Sequence, residues 1–231
     1  MKERRRDSVA SLIINVCILI FVSMMMWINF RSDFVHDDAW FGFTGWLSLR
    51  FFTVLSNLFL AITSVFIIVF DVKSIVNNKY NIPKWAIILK FTSTVATTVT
   101  LMTVVLLLAP LWEVNGDGYF TLFARNNFFM HFVNPILGII TFIFFEKNEK
   151  FKLRHVFFGL VPTFLYSIFY ITFVCVGIWP DFYNFTFGGY MWLAPISAVV
   201  MYMLTFVYGY LIWLCQYKYA NKKKTSKKAS K

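Results

Sequence analysis

Six continuous apolar runs of about twenty residues each constrain this chain more than any other feature. A helix needs about twenty apolar residues to cross a bilayer's hydrocarbon core, whereas a transmembrane strand takes about ten and alternates in polarity. The runs therefore predict an all-α integral membrane protein. The expected architecture is a bundle of six transmembrane helices over 8–29, 46–70, 85–110, 126–145, 156–179 and 190–216. Together they make one domain, 1–217, followed by a basic tail, 218–231.

Composition agrees. Only 14% of the residues are charged, where a soluble domain carries about a quarter. The net charge of +11 suggests nucleic acid at first. That reading fails because the cations lie in Met1–Arg6, in short loops and in Lys218–Lys231, with no soluble basic domain to carry them. They read instead as topology signals and as contacts with anionic lipid headgroups, and the tail KYANKKKTSKKASK reads as disordered. Cys17, Cys175 and Cys215 lie in apolar spans without metal-ligand spacing, so neither a disulfide, a metal nor another cofactor is expected.

Lys and Arg are unevenly shared between the loops. Lys2 and Arg4–Arg6, then Lys73, Lys79 and Lys84, then Lys147, Lys150, Lys152 and Arg154 fall on the side of the tail. The other side has Arg31, Arg50 and Arg125 with Asp33, Asp37, Asp38, Glu113, Asp117 and Asp181. The positive-inside rule puts both termini in the cytoplasm of a cell-membrane protein. Trp27, Trp40, Trp46, Trp112, Trp179 and Trp192 would form an aromatic belt at the outer interface. KERRR precedes the first run, but no small-residue cleavage site follows it, so the run is expected to stay as a helix.

Polar groups inside the spans are few and therefore informative, because ionisable groups are expensive in lipid. In LSLRFFTVLSNLFL, Arg50, Thr53 and Asn57 are spaced i, i+3, i+7 on one helical face. In NNFFMHFVNPIL, Asn127, His131 and Asn134 are spaced i, i+4, i+7, again one face. Helical rise puts Thr53 roughly 10 Å and His131 roughly 8 Å below the outer ends of their spans. Neighbouring helices would let the two meet.

A hydroxyl becomes a nucleophile when an imidazole takes its proton, so Thr53 and His131 form a candidate acyl-transfer pair. Arg50 or Asn57 would hold a carboxylate or a developing oxyanion, with Asn127 and Asn134 as further substrate contacts. Asp33, Asp37, Asp38, Glu113 and Asp117 are the candidates to orient the histidine. Pro135 is expected to kink the fourth span beside His131.

Simpler roles exist for the same residues. Thr53 alone is better explained by helix packing, and Arg50 and Lys90 lie near enough to the interfaces to snorkel. The hydroxyls of FTSTVATTVTLMTVV, from Thr92 to Thr103, read as a packing surface before a water path. Pro162 and Pro195 suggest bends in the last two spans. His36 reads as a solvated loop residue and His155 as a headgroup contact.

RFFTVLSNLF and MHFVNPIL resemble segments of the androgen-induced protein family and its bacterial relatives, which are six-span membrane proteins. The resemblance implies hydrolysis of fatty-acid esters, with Thr53 matching that family's threonine and His131 its histidine. Two other functions compete. One is a permease or binding protein for an anion or small solute, which the lack of an acidic residue deep in a span and of internal repeats argues against. The other is an accessory subunit of a membrane complex.

Overall fold

The computed structural model describes residues 2–31, 45–78, 82–124, 126–146 and 151–229. Among the described residues there is no strand; the chain is a helical bundle. Its main helices are α1 (Lys2–Arg31), α2 (Phe52–Val76), α3 (Lys84–Val114), α4 (Phe129–Phe145), α5 (Leu153–Cys175) and α6 (Ala194–Ala229). Five are long and apolar enough to cross a membrane, and α4 is a shorter apolar helix.

The bundle is built around α3. It packs on α2, α4, α5 and α6, and every residue from Lys90 to Leu101 is buried. A helix buried all round needs small side chains so that neighbours can approach it. Ser93, Thr94, Thr97 and Thr98 supply them, and most satisfy their hydroxyls within the helix: Thr97 and Thr98 both donate to the Thr94 carbonyl, at 3.0 and 2.8 Å. Gly159 of α5 and Gly209 of α6 lie against Phe91 and Val95 of α3, where no side chain separates the helices. The hydroxyl-rich span is thus a packing surface.

The outward faces are apolar. Ile13, Ile62, Phe169 and Met203 are all more than half exposed, an inside-out pattern suited to lipid.

Prolines mark departures from α geometry. A proline lacks the N–H that would satisfy the carbonyl four residues back, and π-turns absorb that mismatch. One π-turn, Val104–Leu108, precedes Pro110; a second, Phe129–Val133, precedes Pro135. The expected distortion beside His131 is therefore a π-turn that contains it. Pro162 stands where the opening 3-10 stretch of α5, Leu153–Leu160, becomes α-helix. Pro195 does not bend α6; it lies in the first turn, where the missing N–H costs nothing.

The last helix runs past the expected end at Gln216 to Ala229, taking in the lysine-rich tail that composition marks as disordered. Lysine and alanine are strong helix formers, and Thr225 Oγ1 donates back to the Asn221 carbonyl at 3.2 Å.

Candidate functional site

The polar stripes of α2 and α4 do meet, through their asparagines. Asn134 Nδ2 donates to Asn57 Oδ1 at 3.0 Å, and Asn57 Nδ2 donates to the Met130 carbonyl at 3.1 Å and to the Thr53 carbonyl at 2.8 Å. Asn57 and Asn134 are fully enclosed, at 1% and 0% exposure. They form a polar clasp between helices, in which Asn134 bonds the Asn57 side chain and the Asn57 amide bonds a backbone carbonyl on each helix.

Thr53 and His131 flank this clasp on different sides. Thr53, half-buried in the first turn of α2, lies beside Tyr183, whose hydroxyl accepts from the Phe52 N–H at 3.0 Å. His131, also half-buried, has its Nδ1 2.8 Å from the Leu122 carbonyl, in the 3-10 turn Tyr119–Phe123. No hydrogen bond joins the two among the described residues.

The histidine is oriented by a backbone carbonyl. Of the acids that the sequence offered for that task, Glu113 is exposed and accepts from the Tyr119 N–H at 2.6 Å, and Asp117 is exposed. Asp33, Asp37 and Asp38, with His36 and Trp40, lie outside the described residues. Arg50 is half-buried, with its guanidinium 5.9 Å from the centre of the Trp179 ring. Asn127 is exposed in the turn before the π-turn, away from the face of Asn134.

A loop covers the Thr53 side. The Asp181 carboxylate accepts from the Tyr170 hydroxyl at 2.7 Å and from the Phe185 and Thr186 N–H groups at 2.9 and 2.7 Å. Burial works against its charge, but these bonds outweigh burial and hold the carboxyl below its usual range. The arrangement folds residues 180–187 over Phe51 and Tyr170, with Phe182 buried between them.

A second polar group lies in the other half of the bundle, toward the start of α1. Lys90 does not snorkel: it is 0% exposed, and its ammonium donates to Asn15 Oδ1 at 2.7 Å and Ser64 Oγ at 2.8 Å. Asn15 Nδ2 donates in turn to Glu146 Oε1 at 2.8 Å. Asp71 is also 0% exposed. Asp71 and Glu146 fall just beyond their runs in the sequence, yet tertiary packing buries both, so the bundle does contain interior acids.

Gln216 closes this end by donating to the Phe142 carbonyl at 2.7 Å, which the end of α4 leaves open. His155 is buried here too. Its Nδ1 accepts from the Lys152 N–H at 2.7 Å and its ring lies 5.4 Å from Phe151, so it starts α5 and does not reach outward to headgroups.

The residues that sequence reasoning missed had a signal. Ser8, Ser11 and Asn15 are spaced i, i+3, i+7 on α1, the spacing of the Arg50, Thr53, Asn57 stripe. No family model, curated protein or solved structure matches this chain. Fold and site define a multi-pass helical membrane protein with two separate polar centres in its interior.

Proposed function

We propose that this chain is a cell-membrane hydrolase of fatty-acid esters, with both termini in the cytoplasm and Thr53 and His131 near the outer face. The orientation is supported by the Lys and Arg asymmetry of the loops. The ester reading is supported by the resemblance of RFFTVLSNLF and MHFVNPIL to the androgen-induced protein family.

One observation carries it: the 2.8 Å contact of His131 Nδ1 with the Leu122 carbonyl. A carbonyl can only accept, so Nδ1 holds the proton and Nε2 keeps its lone pair, the tautomer a general base needs. Thr53 Oγ then attacks the ester carbonyl as Nε2 takes its proton. The proton passes to the departing alkoxide, and water releases the acyl group from Thr53 by the reverse sequence. Arg50, half-buried just before α2 in the same half, holds the carboxylate of the substrate. The two side chains are unbonded at rest, and substrate must draw them together, as catalytic hydrogen bonds commonly tighten only in the complex.

A fluorophosphonate probe on detergent-purified protein tests this. Labelling is expected in the wild type and lost in both Thr53→Ala and His131→Ala, with ester turnover lost in parallel. Turnover by Thr53→Ala at the wild-type rate rules the reading out. A second reading, an ion-binding or permease function, is favoured by the buried Asp71, Lys90 and Glu146.

A further inference from the structure

The inner polar group is not electrically closed. Two carboxylates, Asp71 and Glu146, and one ammonium, Lys90, are each 0% exposed. Among the described residues, their formal charges, −1, −1 and +1, leave −1 inside the bundle. These three are the titratable groups that act on one another there, contributed by α2, α3 and the end of α4. Among the described residues no ion pair within 4 Å joins them, since Lys90 spends its bonds on Asn15 and Ser64.

The hydrogen bonds are not closed either. No well-formed hydrogen bond reaches either oxygen of Asp71, Glu146 Oε2 or Ser8 Oγ, although each is buried; the Ser8 and Ser11 hydroxyls lie close enough to Asp71 to act on its charge. Ser11 lies within interaction range of both carboxylates, which puts the open oxygens around one place. Buried polar atoms are almost always satisfied, so orphans gathered in one place point to a bound ion or water there. All of these orphans are oxygens, three of them carboxylate oxygens, which is the donor set of a hard cation. The charge deficit is one, so the occupant carries a single charge.

We propose that the open oxygens of Asp71, Glu146 and Ser8 bind one monovalent metal cation, sodium or potassium. The cation supplies the absent positive charge and takes up the orphaned oxygens. Lys90, held back by Asn15 and Ser64, positions Glu146 through the Asn15 amide and touches no part of the ion. The site is independent of the Thr53 and His131 chemistry and stands or falls without it.

Thermal unfolding of the full-length protein in detergent tests the proposal, with choline chloride exchanged for sodium or potassium chloride at constant ionic strength. The midpoint is expected to rise by about 3 °C or more in at least one of the two metal salts. The rise should shrink in acid, where protons compete for the carboxylates. Asp71→Asn and Glu146→Gln should each abolish it, while Thr98→Val, remote from the site, keeps it. Equal wild-type midpoints in all three salts overturn the proposal. So does a rise that survives both carboxamide variants, or a stabilisation by acid that is the same in every salt, which would make the proton the sole occupant. If one variant does not fold, the wild-type salt series and the other variant still decide.

Discussion

Asn134 donates to Asn57 at 3.0 Å, and this bond joins α2 to α4 at the level of the π-turn. Since Asn57 also bonds the Met130 and Thr53 carbonyls, one side chain serves three partners. Interhelical polar bonds in membranes are worth about 0.6 kcal/mol on average and up to about 1.7. With both residues enclosed, a double-mutant cycle of Asn57→Ala and Asn134→Ala should give a coupling of about 1 kcal/mol. Unfolding by denaturing detergent measures it, and strict additivity of the two losses would contradict the clasp.

Removing the buried ammonium should cost more. Lys90→Met removes the buried ammonium whose charge acts on Asp71 and Glu146, and leaving buried charge less compensated typically costs about 3 kcal/mol or more. Adding Glu146→Gln to that variant should recover part of the loss. Stability of the two variants in the same detergent checks both statements.

The approach of α5 to α3 rests on a missing side chain. A Cβ added at Gly159 would lie 3.2 Å from Val95 Cγ1 and 3.3 Å from Phe91 Cε1. Gly159→Ala should need a small shift of these neighbours and cost under about 1 kcal/mol, whereas Gly159→Leu should cost about 3 kcal/mol by overpacking. Melting temperatures of the pair should separate accordingly.

Acid should loosen the loop over Thr53. Asp181 has its carboxyl held below the usual carboxylate range, against the effect of burial, by the bonds from Thr186, Tyr170 and Phe185. A depressed carboxyl contributes stability above its unfolded value and loses it as the pH falls toward the folded one. The loop should therefore stay closed at neutral pH and open only below about pH 4. Trp179 lies 6.1 Å from Phe182, so its fluorescence reports the opening. Asp181→Asn should remove this pH dependence.

How much could be seen beforehand varies with the physics involved. The apolar runs located the membrane helices because length and continuity alone decide whether a helix spans. The Asn57 and Asn134 contact was legible as two stripes at one depth. Its partners were not, because the π-turn before Pro135 changes which residues of α4 share a face, leaving Asn127 exposed and turning His131 to Leu122. Asp71 and Glu146 were invisible as interior groups because each follows the end of its run and has lysines for sequence neighbours. Only packing against α1 shows that both are enclosed. Lys90 misled for the same reason: its stem is long enough to reach an interface, and only the bond to Asn15 reveals that it does not.

The bond from Asn15 to Glu146 has a further consequence, for biogenesis. Its two ends are 131 residues apart. At about 5–20 residues per second, translation separates their emergence by roughly 7 to 26 s. During that interval the first helix stands in the bilayer with its Asn15 amide bonded only within its own helix, to Ser11, and Glu146 not yet made. The finished protein hides this weakness; the nascent chain does not. Substitutions along Ser8, Ser11 and Asn15 should therefore be read first in how much protein reaches the membrane intact, and only then in how the mature bundle behaves.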